Sequence, residues 1–340
     1  MVTIYDIAKK ANVSTMTVSR VINKSAKISD KTREKVEAII KELNYHPNNS
    51  ARTLVSRKSK IITLIITDVT SPFFTIVARG AEDKALQAGY QLILCNTDEN
   101  NEKESKYIDM LISTGSAGVL IAPANDDSTR KIKSLIKYDI PTVLIDRTIK
   151  NNTVFDQVVS DNDTSSRKLI EHLIEKGHRK IAIINGPLSI STARERQEGY
   201  LSTLKLYGIE VNKKYMFESN FQYNDISKIV SKILKFSTEE RPTAIFATNN
   251  FLGLSTIKTL KKENLKVPDD IAIVSYDDVP SYTEEEPFLS VARQPAYNFG
   301  YIGMQLLIER IEEVAPKEPR KIVLPSEHYF NSSSDKNISE

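Results

Sequence analysis

Three aspartates, Asp68, Asp146 and Asp277, each follow an apolar run of strand length, and so do the amides Asn249 and Asn250. Arg147 and Asp278 come directly after two of these aspartates, and Ser71-Pro72-Phe73-Phe74 follows the first. Carboxylates and amides pair with adjacent hydroxyls, a guanidinium donates in a fixed fork, and aromatic faces cover a ring. The set suits a small polyhydroxylated ligand, a sugar or sugar derivative. Each residue alone has a plainer use, because Asp and Asn also cap helices at such positions. The convergence of several on strand ends is what points to a site. Asp146 and Asp277 could also move protons. Yet the chain has no G-x-S-x-G, H-E-x-x-H, P-loop or G-x-G-x-x-G pattern, and only 11 glycines in all. His46, His172, His178 and His328 are scattered, and His178 sits in a turn where a supporting role is expected. We therefore expect a binding site and not an enzyme, with no metal and no cofactor.

A second group lies near the N-terminus. Thr15, Met16, Thr17, Ser19 and Arg20 face outward from a short helix whose inner face carries Val18, Val21 and Ile22. An arginine there can pair with guanine O6 and N7, and the Met16 side chain or Thr15 methyl can touch a thymine methyl. Charge is split accordingly. The first 60 residues hold 13 Lys/Arg against 5 Asp/Glu, and the remaining 280 hold 34 against 39. A basic head on a mildly acidic body suggests that the head meets a polyanion.

The elements that must position these groups follow from periodicity. Ile4, Ile7, Ala8 and Ala11 form one helical stripe, opened by Thr3 with Asp6 three later and closed by Asn12. Ser14 can cap the second helix, and Val36, Ile39, Ile40 and Leu43 line a third that stops at His46-Pro47. Two short helices, a tight turn and a bracing helix make a helix-turn-helix, whose second helix enters a DNA major groove. From residue 61 the pattern alternates. Strands are expected at 61–68, 91–96, 117–122, 141–146, 157–160, 180–185, 243–248 and 271–276, with helical stretches between most of them. That alternation means parallel sheets with helices on both faces, and about 280 residues implies two similar lobes. In such sheets ligands bind beyond the carboxyl ends of the strands.

The chain has 340 residues, 40% of them apolar and 27% charged, and a single cysteine, Cys95. This is a globular composition with no internal disulfide framework. No apolar run nears the roughly 18 residues of a membrane span, and MVTIYDIAKK is not a signal peptide, so no membrane role and a cytoplasmic location are expected.

The segments TIYDIAKKANVSTMTVSRVIN (3–23) and ISDKTREKVEAIIKELNYHPNNSARTL (28–54) closely resemble the N-terminus of the lactose-repressor/galactose-repressor family of bacterial transcription regulators. The body resembles it too, in SPFF (71–74), DR (146–147), GHRKIAIINGP (177–187), RERQEGY (194–200), PTAIFATNN (242–250), VPDDIAIVSYDD (267–278) and LSVARQP (289–295). The resemblance implies an all-α helix-turn-helix head (1–47), a hinge (48–60) that becomes helical on the operator, and a two-lobed α/β core like a periplasmic binding protein (61–330). The lobes would comprise about 61–160 with 292–321, and about 161–291 with 322–330. A polar tail at 331–340 is expected to be disordered. By resemblance Thr15, Met16 and Arg20 read bases. The wider DNA-contacting set is Thr3, Tyr5, Ser14, Thr17, Ser19 and Asn23, with Asn48, Ala51, Arg52 and Leu54 from the hinge. Leu54 matches the leucine that wedges into the minor groove and kinks the DNA. The effector contacts carried over are Asp146, Arg196, Asn249 and Asp277, with Ser71, Phe73, Phe74 and Arg147 lining the pocket.

The chain departs from the family at Asn12, Ser71, Thr164 and Ser275, and at Asn250, which replaces a common Asp and removes a charge near the pocket. The implied protein is a repressor whose grip on a pseudo-palindromic double-stranded operator is set by a sugar-like effector. No leucine heptad follows the core, so a homodimer is expected. Control by a phosphorylated carrier protein, as in some members, is the alternative. A phosphorylated sugar or nucleoside as effector, a sugar-acting enzyme and a sugar-transport binding protein rank behind it.

Overall fold

The computed structural model describes residues 2–22, 28–45, 59–278 and 287–336. The chain divides into two compact units, residues 1–58 and 59–340.

In the first unit, α1 (Ile4–Ala11), α2 (Thr15–Ile22) and α3 (Asp30–Glu42) surround a small core of Ile7, Ala8, Ala11, Val18, Val21, Val36 and Ile39. The local signals explain the boundaries. The Asp6 carboxylate accepts from the Thr3 backbone N–H at 2.8 Å and from its hydroxyl at 2.7 Å, and these bonds hold Asp6 below the ordinary carboxylate range. Asn12 ends α1 in the left-handed conformation at φ 55°, which Asn tolerates better than most residues. The Ser14 hydroxyl caps α2 by accepting from the Thr17 N–H at 3.1 Å.

The second unit holds two six-stranded sheets. The first has the order β11-β5-β4-β3-β1-β2, built from β1 (Ile61–Ile66), β2 (Gln91–Asn96), β3 (Gly118–Ile121), β4 (Thr142–Asp146), β5 (Asp156–Ser160) and β11 (Lys321–Leu324). The second has the order β12-β10-β9-β8-β6-β7, from β6 (Ile181–Asn185), β7 (Met216–Glu218), β8 (Ala244–Ala247), β9 (Ala272–Tyr276), β10 (Ser290–Arg293) and β12 (Glu327–Tyr329). Among the described residues every pairing is parallel except β10 with β12. Helices α4 (Pro72–Gln87) and α11 (Ala296–Ile311) cover one face of the first sheet, and α5 (Asn101–Thr114) and α6 (Thr129–Ser134) the other. In the second lobe α7 (Asn162–Glu175) and α8 (Ser191–Leu206) lie opposite α9 (Tyr223–Leu234) and α10 (Asn250–Lys262). Central strands are buried on both faces, which is why they read as unbroken apolar runs.

Helices α4 and α11 meet backbone to backbone. A Cβ on Gly300 would lie 1.8 Å from the Val77 carbonyl oxygen, and one on Gly80 would lie 2.1 Å from that of Tyr297. Only glycine permits this approach, and it fixes the helix whose first turn carries Phe73 and Phe74.

The structure corrects three expectations. β10 belongs wholly to the second sheet and β11 wholly to the first, so the chain crosses between lobes at 161, 294–295 and 325–326, and not at 292 and 322. Residues 331–336 of the tail are ordered, and 337–340 lie outside the described residues. The Ser333 hydroxyl donates to the Ile273 carbonyl at 2.7 Å and accepts from the Ser290 N–H at 2.8 Å, so serines serve where apolar residues were looked for. Finally, β7, β10, β11 and β12 are strands that the apolar-run criterion passed over, being short or lying at sheet edges. His178 is a buried supporting residue. Its Nδ1 lies 2.9 Å from the Thr243 hydroxyl, and burial lowers its pKa to about 4.

Candidate functional site: a cleft between two lobes and an exposed helix

The carboxyl ends of both sheets open onto one cavity of about 580 Å³. Ser71, Phe73, Phe74, Asp146, Arg147, Arg196, Asn249 and Asp277 all line it. β4 delivers Asp146 and Arg147, β8 delivers Asn249, and β9 delivers Asp277. α8 contributes Arg196, and the first turn of α4 contributes the phenylalanines. Phe73 and Phe74 stand edge to face at 5.1 Å, with Phe299 behind Phe73 at 5.6 Å.

The two aspartates occupy equivalent places. β4 and β9 are each third in their sheets, and at their ends Asp146 and Asp277 adopt φ values of 61° and 64°. Left-handed backbone at a residue other than glycine costs on the order of 1 kcal/mol, a strain found at functional sites. It turns each carboxylate out of its strand. Burial raises Asp146 to about 6, against the pull of Arg147 and Arg196. Burial likewise raises Asp277, against Arg196 and a 2.6 Å hydrogen bond from Gln294 Nε2. Among the described residues the Asp146 carboxylate accepts no hydrogen bond, and its nearest cation is Arg147 Nε at 3.6 Å.

The arginines are held differently. Arg196 donates from Nε to Asn162 Oδ1 at 2.8 Å and from Nη1 to the Thr248 carbonyl at 2.6 Å, and its Cζ lies 3.7 Å from the centre of the Tyr276 ring. Arg147 donates from both terminal nitrogens to Glu99, at 2.5 and 2.7 Å, and from Nη1 to the Ala124 carbonyl at 2.9 Å. Asn249 caps α10 by accepting from the Leu252 N–H at 2.8 Å, so the capping use foreseen for it is real and leaves its amide N–H₂ for the cavity.

Sequence reading missed Glu99 and Phe221, which also line the cavity. Glu99 follows β2, and Phe221 follows β7. The strand-end rule would have found Glu99 had it been applied to β2, whereas Phe221 follows a strand that the sequence did not announce.

Hydroxyls join the two lobes beside the points where the chain crosses between them. Ser160, Tyr276 and Ser326 form a triangle with sides of 3.2 to 3.3 Å, and Asp161 Oδ1 accepts from Ser326 N at 3.0 Å. Tyr276 thus touches both this hinge and Arg196. On the cleft edge, Arg194 of the second lobe pairs with Asp126 of the first at 2.7 Å, and Thr148 N–H donates to the Ser191 hydroxyl at 3.0 Å.

In the head, Met16 is 62% exposed and Tyr5 72%, and Thr3, Ser14 and Arg20 are exposed too. Thr15, Thr17 and Ser19 are half-buried, and the Thr17 hydroxyl lies 2.9 Å from that of Ser14. Part of Thr17 is therefore committed to the cap. Asn23, Asn48, Ala51, Arg52 and Leu54 lie outside the described residues.

Residues 3–48 match the family described as bacterial regulatory proteins, lacI family. Residues 59–333 match that described as periplasmic binding proteins and sugar binding domain of LacI family. The HTH-type transcriptional repressor PurR of Photobacterium profundum is 33% identical over 313 residues, 92% of this chain and 93% of that protein. The ribose operon repressor of Halalkalibacterium halodurans is 36% identical over 315 residues, 92% of this chain and 91% of that protein. The solved lac repressor dimer bound to operator and the anti-inducer ONPF is similar with a TM-score of 0.83 at 26% identity, over 98% of this chain and 99% of that one. With both units matched and full-length relatives above 30% identity, the chain belongs to the lacI family of bacterial regulatory proteins and is a DNA-binding transcriptional repressor.

Proposed function

We propose that a small sugar bound in the cleft controls this repressor's hold on a pseudo-palindromic operator, and that the working form is a homodimer. One observation carries the reading. Two buried aspartates at equivalent strand ends, both in strained backbone, keep acceptor capacity beside an arginine, a cap amide and two aromatic rings. Paired hydroxyls on a ring match that arrangement. A ribose operon repressor among the relatives makes D-ribose the first sugar to try. In this reading Asp146, Arg196, Asn249 and Asp277 contact the sugar, and Phe73 and Phe74 cover its ring. Met16 and Arg20 meet base edges, with Thr15 beside them, and two Leu54 side chains meet at the operator centre. Sugar in the cleft changes the angle between lobes, and with it the pairing of two protomers. Linkage makes the effect reciprocal, so operator changes sugar affinity by the same factor.

The test joins two measurements. Selection of bound sites from a randomised duplex should return a two-fold symmetric sequence. Calorimetric titration with D-ribose and other aldoses should find one that binds saturably and changes affinity for that sequence. Loss of either result removes the reading.

A further inference from the structure

We propose that Glu99 sets the charge of the effector: by holding the Arg147 guanidinium it reserves the cleft for uncharged sugars and turns away phosphorylated and carboxylated ones. This rests on the cleft being the effector site.

An anionic sugar would be recognised by an arginine offering two parallel N–H groups to its oxygens. Among the described residues two arginines line the cavity, and neither has such a fork to spare. Both terminal nitrogens of Arg147 already face the Glu99 carboxylate, and carbonyl oxygens take further hydrogen bonds. Arg196 spends Nε and Nη1 inside the second lobe and lays its face on Tyr276, so among the described residues only Nη2 is uncommitted.

The rest of the lining is acidic. Five carboxylates, Asp68, Asp98, Glu99, Asp146 and Asp277, stand against those two guanidinium groups. Lys103 neutralises Asp98 at 2.5 Å, and Arg147 is shared between Glu99 and Asp146, so five carboxylates stand against three cations. A phosphate entering this cleft meets repulsion in a partly desolvated site, where charges act most strongly.

The clamp is built, not incidental. Arg147 is buried, with 8% of its side chain exposed, and Glu99 is 30% exposed. Asp98 and Glu99 are successive left-handed residues, at φ 53° and 58°, in the turn that ends β2. Such a turn is strained for residues other than glycine, and from it the Glu99 carboxylate reaches Arg147.

The experiment is isothermal titration of the full chain with D-ribose, D-glucose and further aldoses, each beside its terminal phosphate and its uronic or aldonic acid. In the native protein the neutral member of a binding pair should be favoured at least 100-fold. Glu99→Gln should free Arg147 and cut that preference at least tenfold, while Glu99→Asp, which keeps the charge, should restore it. A merely structural role would weaken neutral and anionic sugars alike in both variants, and that result overturns the proposal. Equal binding of sugar and sugar phosphate by the native chain overturns the charge rule and leaves the sugar site standing. Failure of every compound to bind overturns both.

Discussion

Replacing Asp146 by asparagine should stabilise the ligand-free protein while it destroys the response to sugar. Asp146 is buried, and its pKa rises from 3.8 to about 6 because burial disfavours the charged form more than Arg147 and Arg196 favour it. The sign follows from proton binding. An acid that holds its proton more tightly when folded leaves stability intact below the unfolded pKa of 3.8. Stability is then lost as pH rises toward 6, and the whole cost is present above that. At about 1.4 kcal/mol per pH unit the full cost is about 3 kcal/mol, and at about pH 5 roughly half of it applies. Asparagine imitates the protonated acid, and it accepts the left-handed backbone at φ 61° at least as well as aspartate. Calorimetric melting of the two-lobed unit should therefore place Asp146→Asn roughly 5 °C or more above the native protein at about pH 7.5. The gap should narrow by about half at about pH 5. A variant no more stable in the alkaline measurement, or a gap indifferent to pH, would show that the carboxylate is not strained by burial. The argument for a poised acceptor would then fail.

Three other perturbations test separate parts of the structure. Asp277→Asn should weaken sugar binding about 10- to 100-fold, the worth of one hydrogen bond to a charged acceptor, with operator affinity in the absence of sugar unchanged by fluorescence anisotropy. Arg20→Ala should relax sequence preference at one half-site position at a cost of about 1–3 kcal/mol, read by repeating the site selection; an unchanged consensus removes it from the base-reading set. Gly300→Ala forces a Cβ against the Val77 carbonyl oxygen and should cost about 2–3 kcal/mol in urea unfolding. A neutral result there would mean that α4 and α11 slide apart freely.

Which parts were legible in the sequence follows from how local their causes are. The first two helices of the head were legible because they carry their own caps, at Thr3–Asp6, Asn12 and Ser14, and the third because its apolar stripe repeats at helical spacing. The central strands were legible because burial on both faces demands unbroken apolar runs. β11 was not, since its residues are largely exposed at a sheet edge and its pairing with β5 joins residues 321–324 to 157–160. The ordered tail escaped for a similar reason, because Ser333 is held by hydrogen bonds to β9 and β10 that no local pattern announces. In the cleft, strand-end residues stood out by position. The pairing of Glu99 with Arg147 depends on two loops 48 residues apart in the chain.

The three crossings between lobes also impose an order on synthesis. The first sheet is begun by residues 61–160, but its last strand and the helix that covers it, β11 and α11, come from residues 296–324. The whole second lobe up to β10 must leave the ribosome in between, on the order of ten seconds at ordinary elongation rates. Through that interval the nascent chain shows Leu120, Ile145 and their neighbours to water, with the edge of β5 open. The half made earlier thus waits for β11, and β12 closes the second sheet only just after it, so the two halves are completed almost together.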